Sequence, residues 1–74
     1  MACRVGMTSR VSERKADWQR KHKNFRNWRI LKTGLTYHEA LQYEAAYARR
    51  NGCVFHGGGQ RKAGRVYSVY RFDY

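Results

Sequence analysis

The last ten residues constrain the fold most. From Arg65 to Tyr74, Val66, Ser68, Tyr70, Phe72 and Tyr74 alternate with Tyr67, Val69 and Arg71. This is the two-residue period of a strand, whose side chains point to opposite faces in turn. β-Branched and aromatic residues, which suit a pleated surface, fill most positions of both sets. A strand with large groups on both faces has to be covered on both, so the segment is predicted to be central or well covered in a sheet. A chain of 74 residues makes one domain and buries only about 60% of its unfolded surface. Its small core must therefore come from large side chains, and two Trp, three Phe and six Tyr supply them.

The clearest local signal is a helix start. Thr36 and Glu39 have the spacing of a capping box, in which each side chain satisfies the other residue's free backbone amide. The helix is predicted to continue through Arg50 and to stop at Asn51-Gly52, a left-handed cap, with Arg49 and Arg50 against the negative end of its dipole. Ala40, Leu41, Ala45, Tyr47 and Ala48 form its apolar stripe, and Glu44 lies on the same face. An acid there is costly to bury alone. It is expected to meet a cation, either a metal ion or an arginine such as Arg14.

The N-terminal third reads as strand, turn and basic helix. Ala2 to Val5 is a short strand with Cys3 and Val5 on one face, and Gly6 is expected to end it. Ser9 is the expected N-cap of a helix running to about Lys23. Val11, Lys15, Trp18, His22 and Phe25 recur at steps of three and four and share one face. Asn24 to Asn27 reads as a turn, Trp28 to Leu31 as a second strand, and Lys32-Thr33-Gly34 as a loop. Cys53 to His56 is a third short strand. The glycine-rich run 57–64 lacks the spacing of a phosphate-binding loop and reads as a hairpin tip. The order β-α-β-α-β-β predicts an α/β (α+β) fold, a small three- to four-stranded sheet with two helices packed against it.

Lysine and arginine outnumber acids 16 to 5, a formal net charge of +11. A field of this sign favours a polyanion, and the preponderance of arginine favours bidentate recognition of phosphate or carboxylate. Arg4, Arg10, Arg14, Lys15, Arg20, Lys21, Lys23 and Arg26 are the candidate phosphate contacts, and only Glu13 and Asp17 offset those on the first helix. Trp18 and Trp28 have the chemistry to stack on bases, although core packing is the expected role of both. No run of residues is long enough to span a bilayer and none resembles a signal peptide. A cytoplasmic location without a membrane partner is therefore expected, with Cys3 and Cys53 as free thiols packed as small apolar groups and a disulfide between them as the unsupported alternative. Cys3, Cys53, His22, His38 and His56 offer no close-spaced ligand pair for zinc.

Several of these segments together resemble a nuclease family. Val5-Gly6-Met7-Thr8, then Arg14 eight residues after the glycine, then a basic helix ending near His22, resembles the second half of the GIY-YIG motif. Trp28 to Leu31 resembles the strand that follows it. Glu39-Ala40-Leu41-Gln42-Tyr43-Glu44 resembles the helix that supplies the family's metal-binding glutamate. The resemblance covers roughly Cys3 to Gly52. It implies phosphodiester hydrolysis with one divalent ion, Mg2+ or Mn2+, held at the Glu44 position, with tyrosines to activate water and an arginine at the Arg14 position to stabilise the phosphate.

Two departures accompany it. The family's first strand, with its GIY tyrosine, is expected to lie before residue 1. Arg4 stands at the position of the YIG tyrosine, and guanidinium, which stays protonated, cannot act as a base. The run Gly64 to Tyr70 itself resembles a G-x-Y strand. If it fills the gap, Tyr67 or Tyr70 comes near Glu44 and Arg14. The leading reading is a catalytically degenerate GIY-YIG-like domain that grips DNA or RNA, with Glu44 paired to Arg14. A second is an active metal-dependent endonuclease using Arg14, Glu44, Tyr67 and Tyr70. A third is a small phage or mobile-element inhibitor or adaptor that binds an acidic protein or a nucleic-acid-handling complex.

Overall fold

The computed structural model describes residues 2–55 and 65–74; the glycine-rich run and His56 lie outside the described residues. Six elements follow in order: β1 (Cys3–Thr8), α1 (Val11–Lys21), β2 (Arg26–Leu35), α2 (Tyr37–Asn51), β3 (Val54–Phe55) and β4 (Tyr67–Asp73). They form an α+β fold around one four-stranded mixed sheet of order β2-β4-β1-β3. β4 runs antiparallel to both β1 and β2, and β3 pairs parallel to β1.

The C-terminal strand is central, as its two apolar faces require. Tyr67, Val69, Tyr70 and Phe72 are all buried. On one face Tyr67 and Val69 join Val5, Ala40, Ala48 and Cys53 in the main core, so α2 covers this side. On the other face Tyr70 and Phe72 meet Trp18 of α1 and, beyond the end of that helix, His22, Phe25 and Trp28. The two helices thus lie on opposite faces of the sheet. α1 has no buried residue and is held mainly by its aromatic contacts, whereas α2 buries Ala40, Glu44 and Ala48.

α2 forms as its end signals predict. Thr36 and Glu39 make both hydrogen bonds of the capping box, and Gly52 closes the helix in the left-handed region at φ 67. Three segments differ from the sequence reading. β1 does not end at Gly6 but runs through it to Thr8, because its pairing with β4 continues as far as Thr8 opposite Ser68. Arg10, not Ser9, precedes α1, and no side chain caps the helix; the Thr8 hydroxyl instead accepts from the Arg10 amide at 2.9 Å. α1 stops at Lys21, since His22 is extended. Lys32, Thr33 and Gly34 are not a loop. They belong to a ten-residue β2 that stays paired to β4 through register shifts.

The cysteines are not free thiols. Cys3 and Cys53 form a disulfide across 50 residues of sequence. The parallel pairing of Arg4 with Val54 places the residues before them side by side, with their Cα atoms 4.8 Å apart. That spacing lies within the range a disulfide spans. Among the described residues no helix is long and apolar enough to cross a membrane.

Candidate nucleic-acid interface

The site is built around Tyr70. Tyr70 pairs with Gly6 across the β4–β1 ladder, and its ring lies over the glycine. A Cβ on Gly6 would clash with the Tyr70 hydroxyl oxygen, so only glycine leaves room for the phenol. The Trp18 indole N–H donates to that oxygen at 2.8 Å, which fixes α1 against the sheet. Burial pushes the Tyr70 pKa above its ordinary value. The Trp18 hydrogen bond and the charges of Arg14 and Arg4 pull it down, and the charge of Glu44 adds to the rise. A buried, proton-retaining phenol is poorly suited to be a general base near neutral pH.

Arg4, Arg14 and Glu44 are therefore all close enough to Tyr70 to act on it electrostatically, but they act from different sides. Arg4 lies in the half of β1 that alternates with Val5, and its guanidinium stacks over Trp18 at 4.6 Å from the ring centroid. Lys21 lies over the same ring at 5.1 Å. Arg14 is exposed on α1. Glu44 is 1% exposed and shares the sheet-facing row of α2 with Ala40 and Ala48. Tyr67 points to that same side, in the core. The sheet therefore separates Glu44 and Tyr67 from Arg14 and Tyr70.

The expected Arg14–Glu44 ion pair is not among the salt bridges that join Arg10 to Glu13, Arg20 to Asp17 and Arg71 to Asp73. The cause is the placement of the two helices on opposite faces, which the order of elements does not specify. The metal ion implied by the resemblance is not matched by the residues present. Mg2+ keeps several waters when it binds a carboxylate, and a side chain 1% exposed beneath α2 gives neither those waters nor a phosphate a place. Among the described residues no group of three His, Cys, Asp or Glu stands close enough to hold a metal.

The cations are arranged on the outside. Arg10, Arg14, Arg20, Lys21, Lys23 and Arg26 are exposed, and Lys15 and Arg4 are half-buried. Two of them are partly neutralised along the helix, Arg10 by Glu13 at 3.3 Å and Arg20 by Asp17. Such exposed pairs contribute only about 0.2–1 kcal/mol and yield readily to a stronger anion. Trp18 and Trp28 pack within the aromatic cluster rather than standing free for bases.

Sequence reasoning missed Gly6 as the seat of Tyr70 and Arg4 as a cation stacked on Trp18. A glycine inside a strand is the usual mark of a close approach, and that signal was present. Searches against protein families, characterised proteins and solved structures find no match to this chain.

Proposed function

We propose that this protein is a small nucleic-acid-binding domain, a degenerate relative in form of the GIY-YIG nucleases, that grips phosphates and does not cut them. The observation that carries this reading is the division of the catalytic set by the sheet. Glu44 is sealed under α2, Tyr70 is locked to Trp18, and the cations of α1 are left on the surface. Arg4, Arg10, Arg14, Lys15, Arg20, Lys21, Lys23 and Arg26 form the gripping set. Arg4 and Lys21 are held in place by the Trp18 ring, so less side-chain freedom is lost when they meet a phosphate.

The test is fluorescence anisotropy of labelled DNA and RNA with the purified chain, over a salt series, with and without Mg2+ or Mn2+. Neutralising five or six phosphates gives a slope of log affinity against log salt of about −4.5 to −5.4 on duplex. Binding of that steepness with intact substrate is the expected result. Affinity independent of salt would refute the reading. Cleavage abolished by Glu44→Ala or Arg14→Ala would replace it with the nuclease reading. A protein partner retained after nuclease treatment, with no binding to free nucleic acid, would replace it with the adaptor reading.

A further inference from the structure

We propose that the outer edge of the sheet is a second phosphate track, which holds the backbone of a single-stranded nucleic acid along β2. This rests on the nucleic-acid reading above and adds a surface to it.

Arg26, Arg29 and Lys32 recur every three residues and are all exposed. In a regular strand this spacing would put Arg29 on the face opposite the other two. β2 is not regular. Arg26 pairs with Asp73, Arg29 with Arg71, Lys32 with Val69 and Leu35 with Tyr67, and a register shift falls within each interval. Three residues of β2 therefore match two of β4 each time. Residues directly opposed in an antiparallel pair share a face, and the four β4 partners are alternate residues of one face. Leu35 confirms the side, since it packs with the core under α2. The irregularity turns a three-residue spacing into a one-sided row, with a cation about every 6.8 Å along the sheet.

Arg26 lies opposite Asp73 and interacts with its charge, but Arg29 and Lys32 are not balanced in this way. Arg29 lies opposite Arg71, and like charges directly opposed are unfavourable. Arg71 is held in place by the Tyr47 hydroxyl at 2.8 Å and by Asp73 at 3.4 Å. Neither Arg29 nor Lys32 belongs to a salt bridge among the described residues. An anion between Arg29 and Arg71 relieves their repulsion.

The same features select the occupant. β2 is the terminal strand of the sheet, but its cations and register shifts oppose the addition of another strand, which disfavours an extended peptide. A polyanion with one charge per repeat unit fits a one-sided row of cations set at two-residue intervals along β4. A single nucleic-acid strand has this form, and its bases are free to meet rings. Tyr47 and Tyr43 stack beside Arg71, half-buried, with centroids 6.4 Å apart.

The experiment compares the full chain with Arg29→Gln/Lys32→Gln and with the α1 control Arg14→Gln/Lys21→Gln. Each is titrated against an oligothymidylate and a hairpin duplex over a salt series, and circular dichroism checks the fold. Two lost phosphate contacts reduce the steepness of the single-strand salt dependence by about 1.4, and Arg29→Lys retains most of it. The duplex is expected to respond more to the α1 control. An unchanged single-strand slope in a folded Arg29→Gln/Lys32→Gln variant, with the α1 control weakened, overturns the track and leaves the α1 reading intact. Equal loss on both substrates overturns the single-strand assignment. Oligoglutamate binding to the row in place of oligothymidylate overturns the choice of partner. If the unmodified chain binds neither nucleic acid, the reading on which the track rests fails as well.

Discussion

Removal of the Cys3–Cys53 disulfide is expected to cost a large part of the stability of this fold. The bond closes a loop of 50 residues that contains α1, β2 and α2. In the chain-entropy account, a cross-link of that length removes about 14 cal/mol/K from the unfolded ensemble, or about 4 kcal/mol at 25 °C. A domain of 74 residues has a total stability of about 4–11 kcal/mol, so the bond supplies between a third and nearly all of it. β3 has only two residues, and the bond ties the residue before it to the start of β1. The double variant Cys3→Ala/Cys53→Ala leaves no thiol to react, and it should melt about 15–30 °C below the oxidised protein. Thermal and urea unfolding followed by circular dichroism measure this. The urea slope should rise, because an unfolded chain without the cross-link exposes more surface. A melting temperature within a few degrees of the oxidised protein would refute the entropic argument. Two free thiols titrated in oxidised, unreduced protein would refute the bond itself.

Gly6→Ala should be destabilising by about 1–3 kcal/mol, the usual cost of overpacking a filled site, because the new methyl meets the Tyr70 ring. It should also break the Trp18–Tyr70 hydrogen bond and change Trp18 fluorescence; unchanged emission and melting would show that Tyr70 does not lie over Gly6. Tyr70 gives the fold an alkaline limit. Burial raises its pKa, so above about pH 10 the unfolded chain loses that proton while the folded one keeps it, and stability falls as pH rises towards the folded value. Tyr70→Phe should flatten this fall in a series of urea melts between pH 8 and pH 11 (about the window set by the free phenol), and an identical slope in both proteins would show that another group is responsible.

The parts of the fold that depend on short stretches of sequence were legible, and those that depend on pairing between distant segments were not. The capping box of Thr36 and Glu39 and the left-handed Gly52 define α2 within one helix length. The central position of β4 follows from its own two faces. β2 is different. Asn27 and Gly34 both have positive φ, and both carry the local marks of turns. They stay in a strand because the residues on either side of them pair with β4, and the register shifts fall where they stand. The disulfide is a further case, since nothing near Cys3 or Cys53 records that β1 and β3 lie side by side. Within the candidate site, Glu44 was correctly placed on the buried stripe of α2. Its expected partner Arg14 was not, because the face on which each helix packs is set by which apolar residues of β4 it covers.

That choice of face bears directly on the difference between gripping and cutting. Hydrolysis of a phosphodiester needs the acid that holds the metal, the water-activating group and the phosphate-binding arginine within one space open to water. Here Glu44 is on the α2 side of the sheet, and Arg14 and Tyr70 are on the α1 side. Rotation of side chains cannot unite them, because β1 and β4 lie between and their six-residue register is continuous from Cys3 to Thr8. To move Tyr70 to the other face would require a one-residue slip of β4. That slip would also expel Val69 and Tyr67 from the core. Phosphate binding has no such requirement. It needs cations at the surface, held in place and incompletely neutralised. α1 provides them around the Trp18 ring, and β2 provides a further row at the sheet edge. The packing of the sheet thus sets Glu44 apart from Arg14 and Tyr70 and leaves the α1 cations at the surface, which is the ground for proposing binding rather than cutting.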